Sequence, residues 1–131
     1  YHSQALEFAR TANPITEQLE LSIAVSLNSM GNIYLVLKQY DLAIEQFNKS
    51  LEIENKSENK LGLAINYQNI GYAKEAKGLL NEALKDYQTS LNYNEDINSD
   101  IGKVICFNSI GKIYIKQQKY EEANTLLIDA L

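Results

Sequence analysis

The seven residues Asn28-Ser29-Met30-Gly31-Asn32-Ile33-Tyr34 return as Asn108-Ser109-Ile110-Gly111-Lys112-Ile113-Tyr114. Between them lies a looser copy, Gln68-Asn69-Ile70-Gly71-Tyr72-Ala73-Lys74, which keeps the glycine and the register. The interval is forty residues each time, and it extends outward. Ala43, Ala83 and Ala123 follow it, as do Leu51, Leu91 and Leu131. Phe47, Tyr87 and Leu127 share one phase; Gly62 and Gly102 share another, with Ser22 in the first copy. Self-similarity at a fixed period of this length marks a stacked array, in which each copy is one supersecondary unit.

Each copy reads as two helices. Leu61, Ala64, Ile65, Ile70 and Ala73 fall on one helical face, and Leu80, Ala83, Leu84, Tyr87 and Leu91 fall on another. Asn59 and Ser99 stand just before first helices and have the side chains that cap them. Short turns at Lys38-Gln39, Lys77-Gly78 and Gln118-Lys119 make the paired helices antiparallel. Pro14, the only proline, is placed where one helix ends and the next begins. The fold class expected is all-α: an α-solenoid of antiparallel helix pairs. Gly31, Gly71 and Gly111 lie mid-helix, where glycine costs about 1 kcal/mol against alanine. Close approach of the paired helix at Ala43, Ala83 and Ala123 is the expected compensation, with Tyr34, Tyr40, Tyr114 and Tyr120 filling the space beside it.

Composition narrows the functional classes. The chain has 131 residues, is 45% apolar and 22% charged, and carries a net charge of −5. These values suit one folded domain. The acidity argues against a nucleic-acid phosphate track. No uninterrupted run of about 18 apolar residues occurs, so no membrane partner is expected. Cys106 is the only cysteine and His2 the only histidine, which leaves no disulfide framework and no multi-cysteine metal site. The chain opens on Tyr1, and its last segment still carries Leu126, Leu127, Ile128 and Leu131. Both ends read as those of a piece of a longer protein. Residues 1–13 would be the second helix of a partial preceding repeat, followed by repeats at 16–55, 56–95 and 96–131.

The sequence of features in each copy resembles the tetratricopeptide repeat. The first unit supplies Leu27, Met30-Gly31, Tyr34, Tyr40, Ala43, Phe47 and Ser50-Leu51. The second supplies Tyr67, Ile70-Gly71, Lys74, Leu80, Ala83, Tyr87 and Ser90-Leu91, and the third supplies Phe107, Ile110-Gly111, Tyr114, Tyr120, Ala123, Leu127 and Ala130-Leu131. The usual period is about 34. The longer beat here is similar to the forty-residue variant of Pins-type polarity adaptors and bacterial signalling proteins. The resemblance implies a right-handed superhelix with a concave groove, lined by first helices, that holds a protein or peptide.

Helical phase nominates the groove residues. With Leu27, Met30, Ile33 and Tyr34 packed inward, the outward stripe is Asn28, Ser29 and Asn32, then Gln68, Asn69 and Tyr72, then Asn108, Ser109 and Lys112. Lys116 lies one turn beyond Lys112, and Val25, Ile65 and Ile105 supply an apolar floor. Amides both donate to and accept from a peptide backbone; the same amides also serve to bond neighbouring helices. The expected function is a non-catalytic peptide- or protein-binding module of a larger signalling or adaptor protein. The alternative is a spacer or dimerisation array, self-associating through the apolar strip near Leu131.

No catalytic residues, cofactors or metal ligands are expected. Glu52 and Glu54, Asp96 and Asp100, and Glu121 and Glu122 are read as solvated carboxylates near helix ends. The run Asn94 to Asp100 lacks the central glycine and terminal glutamate of a calcium loop. Cys106 is expected to be buried and inert. A lone cysteine is compatible with a cytoplasmic location, and a periplasmic one stays open.

Overall fold

The computed structural model describes residues 14–117. Five helices follow one another: α1 (Pro14–Val36), α2 (Tyr40–Lys56), α3 (Lys60–Ala76), α4 (Leu80–Asp96) and α5 (Asp100–Lys116). No strand occurs among the described residues. The expected turn at Gln118-Lys119, Ala123, Tyr120 and the terminal leucines lie outside the described residues.

The forty-residue period is built from two half-beats. Each of the helices α2 to α5 is 17 residues long, and three residues link it to its neighbour. The middle residue of every described link is left-handed: Lys38 (φ 61°), Glu58 (φ 55°), Gly78 (φ 85°) and Asn98 (φ 55°). Such a residue after the last turn reverses the chain and lets the next amides close on the helix's last carbonyls. Gln39 N–H to Tyr34 O (2.8 Å), Asn59 N–H to Glu54 O (2.9 Å), Leu79 N–H to Lys74 O (2.9 Å) and Ser99 N–H to Asn94 O (2.9 Å) are that closure. The expected caps are formed: the Asn59 side chain accepts from Gly62 N–H at 3.4 Å and Ser99 Oγ accepts from Gly102 N–H at 3.1 Å. Pro14 is the first residue of α1, the helical position where a missing N–H costs nothing.

Two core clusters repeat with the sequence. Ala43, Phe47 and Ile70 form one, with Tyr34, Leu35 and Leu51 against it. Ala83, Tyr87, Ile110 and Ile113 form the other, with Leu80, Leu84, Leu91 and Tyr114 against it. Each joins the second helix of one unit to the first helix of the next, so no unit completes its core alone. Phe47 and Tyr87 are wholly buried, and each contributes roughly 1.5–3 kcal/mol. The expected inward packing of Met30 and Ile33 is not observed: they are 45% and 60% exposed, whereas their counterparts Ile70 and Ile110, Ala73 and Ile113 are buried. The counterparts are covered by the preceding unit's second helix. For α1 the sequence assigns that role to residues 1–13, which lie outside the described residues.

The apolar side chains on this face also explain the composition of α1. Ile15–Val36 is long and apolar enough to cross a membrane, although it contains no uninterrupted apolar run. Within the array it is a repeat helix: Ala24 is fully buried, and its carbonyl accepts from Ser50 on α2.

Consecutive first helices touch, α1 with α3 and α3 with α5, whereas α2 and α4 do not. The array is therefore narrower on the first-helix side, which makes that side concave.

Candidate functional site

The concave face carries two cavities related by the repeat. The first, of about 140 Å³, is lined by Ala24, Val25, Asn28, Ser29, Ser50, Glu54, Gly62, Ile65 and Asn66. Adding forty to each number gives Ala64, Ile65, Gln68, Asn69, Ser90, Asn94, Gly102, Ile105 and Cys106. All of these line the second cavity, of about 220 Å³, together with Leu61, Ser99 and Ile101. Ile65 is the wall shared by both. Val25, Ile65 and Ile105 are 63%, 46% and 47% exposed, so the groove keeps apolar surface open to a ligand.

Beneath each cavity runs one buried hydrogen-bond chain. Ser50 Oγ donates to the Ala24 carbonyl at 2.7 Å, Asn66 Nδ2 donates to Ser50 Oγ at 3.0 Å, and Asn28 Nδ2 donates to Asn66 Oδ1 at 2.7 Å. One repeat later, Ser90 Oγ donates to the Ala64 carbonyl at 2.7 Å, and the Cys106 thiol lies 3.4 Å from Ser90 Oγ and 3.6 Å from Gln68 Oε1. A thiol thus stands where the earlier unit has an amide. Burial pushes the Cys106 thiol up, against the opposing effect of its side-chain hydrogen bonds with Ser90 and Asn94. A thiol held protonated is a poor nucleophile.

The stripe nominated from the sequence divides into residues that bond across helices and residues that face open solvent. Asn28 Oδ1 accepts from Asn32 Nδ2 at 3.1 Å and from Asn69 Nδ2 at 3.5 Å. The equivalent rung is Gln68 Nε2 donating to Ser109 Oγ at 2.8 Å. Ser29, Asn32, Asn108 and Lys112 are exposed, and Tyr72 is 57% exposed. Lys116 is ion-paired with Glu75 on α3. That carboxylate also accepts from Tyr87 Oη at 2.7 Å, so Lys116 braces α5 against the preceding unit.

Sequence reasoning missed the floor of the site: Ser50, Ser90, Asn66, Glu54 and Asn94. Glu54 is a correction, since it is only 3% exposed rather than solvated. It packs on Gly62, where a Cβ would sit within 2.8 Å of Glu54 Oε1. Asn94 packs on Gly102 in the same way, at 3.0 Å from its Nδ2. The paired glycines at 62 and 102 were the available signal. They also make room for the buried polar groups of the preceding helix.

A family model for the tetratricopeptide repeat matches residues 22–96, and another matches residues 105–131. The crystal structure of the TPR domain of Arabidopsis FLU aligns with a TM-score of 0.78 over 87% of this chain and 93% of that one, at 18% sequence identity. At that identity the likeness is one of fold. No curated protein matches the sequence. One family model covers more than half of the chain, and the helix pairs and their packing are those the sequence repeat requires: the chain belongs to the tetratricopeptide repeat family.

Proposed function

We propose that the concave face of α1, α3 and α5 holds an extended peptide segment of another protein, and that this array is the interaction or sensing part of a larger signalling or adaptor protein. Tetratricopeptide repeats generally bind proteins or peptides and are typically non-catalytic, which is the frame for this reading. The observation that carries it is the pair of cavities one repeat apart, sharing the wall Ile65. Neighbouring helices pack at roughly 8–10 Å. A polyproline-II-like chain has about 3 residues per turn at about 3.1 Å each. It therefore returns a side chain to the same side about every 9 Å, so residues three apart would enter successive cavities. Exposed Asn32, Tyr72 and Asn108 have hydrogen-bonding capacity for its backbone.

Selection from a randomised peptide library tests this. Selected peptides should bind the parent chain and weaken on Tyr72→Ala, Asn108→Ala or Ile65→Ser with helicity unchanged. Peptides indifferent to all three changes would remove the groove from the account and favour a spacer or dimerisation array.

A further inference from the structure

Of the paired positions that line the two cavities, one exchange changes the charge. At the position where the second has the Asn94 carboxamide, the first has the Glu54 carboxylate. Asn94 is engaged through its amide nitrogen: Nδ2 donates to the Ser90 carbonyl at 2.9 Å and lies 3.3 Å from Ser90 Oγ. Glu54 is buried to the same degree, yet its Oε2 has no hydrogen-bond partner. The fold is thus served at this position by a neutral amide, and the carboxylate adds a cost that packing does not require. The Asn59 side chain hydrogen-bonds this carboxylate, but a buried carboxylate with one oxygen unpaired is still expensive to retain. A donor arriving from outside would offset that cost.

We propose that the cavity over Glu54 is a subsite for a basic side chain, lysine or arginine, of the bound segment. This rests on the groove reading above and deepens it: the neighbouring cavity over Asn94 takes a neutral side chain. The chemistry fits the walls. Val25 and Ile65 provide apolar surface for a methylene stem, and Glu54 in the same lining is a charge-assisted acceptor. An apolar cavity of ~150 Å³ holds a benzene molecule, so about 140 Å³ accommodates a butylammonium-sized group.

Butylammonium, with butanol as the neutral control, probes the cavity without any peptide. Saturable NMR shifts at Gly62 and Ser50 are expected with the ammonium and not with the alcohol. Glu54→Gln should weaken them about tenfold. No saturable shift, or equal binding by Glu54→Gln, would overturn the subsite. The peptide library gives the second arm. The parent chain should enrich one basic position, Glu54→Gln should lose that enrichment while keeping the peptide register, and Asn94→Glu should create a second basic position three residues away. Groove-binding peptides with no basic preference would overturn the proposal. Ammonium binding with no selectable peptide would instead overturn the groove reading and leave the subsite standing.

Discussion

The ring of Phe47 lies against the backbone of Gly31, so closely that a Cβ built on Gly31 would meet Phe47 Cδ1 at 2.7 Å. Tyr87 stands in the same relation to Gly71, at 2.7 Å from its Cε1. The repeated mid-helix glycine is therefore explained by an aromatic ring from the paired helix, rather than by the alanine expected from the sequence. Ala43 and Ala83 are fully buried, but they lie one turn earlier on the same helix.

Gly71→Ala should destabilise the chain by about 1–3 kcal/mol through overpacking, although the same change in an open helix stabilises by about 1 kcal/mol. Urea denaturation measures it. Leu127 occupies the ring's phase in the third copy, so Tyr87→Leu should relieve part of the cost. A double-mutant cycle with no coupling would contradict the ring-on-glycine contact.

Glu54 makes stability depend on pH. Burial raises its carboxyl above the ordinary 4.5, and a hydrogen bond from Asn59 opposes this only in part. A group with a raised folded-state pKa binds its proton more tightly when folded. Stability therefore rises as pH falls from neutrality toward the ordinary carboxylate range, and is lost as pH rises again. Asp86 is raised too, chiefly by burial, and gives a slope of the same sign. Glu54→Gln should raise stability at neutral pH by about 1 kcal/mol and flatten the parent's slope. Melting curves across this range check both, and an unchanged slope would mean that Glu54 is solvated.

Ser50→Ala and Ser90→Ala each remove the hydroxyl that joins a first-helix carbonyl to the polar chain beneath its cavity. Each should cost about 1–3 kcal/mol, because buried partners are left unmade. Ser90→Ala should also perturb Asn94 and Cys106, whose side chains both approach Ser90 Oγ. Faster reaction of Cys106 with a thiol reagent in that variant would report the loosening.

The left-handed links give a test of opposite sign. Glu58→Gly, at φ 55°, should stabilise by about 1 kcal/mol, since only glycine adopts that conformation without steric cost. Gly78→Ala, at φ 85°, should destabilise by a similar amount. Chemical denaturation of the two variants decides it.

Much of this architecture was legible in the chain itself. The forty-residue spacing of Gly31, Gly71 and Gly111 fixes which helices pair, and Asn59 and Ser99 mark where first helices begin, because these signals are local. Glu54 was not legible. A glutamate near a helix end is ordinarily solvated, and its burial depends on Gly62 of the next unit, a contact set by stacking. The exchange of Asn66 for Cys106 hid the polar chain as well, since a lone thiol in an apolar stretch reads as core. The amide stripe was found by phase, but phase cannot show that Asn28 bonds to Asn69 across two helices.

The most direct measurement is a crystal structure of this chain with a library-selected peptide. The peptide should run along α1, α3 and α5, crossing Ile65, with side chains three residues apart entering the cavities over Glu54 and Asn94. A peptide seated against α2 and α4, or one that leaves both cavities empty, would contradict the groove.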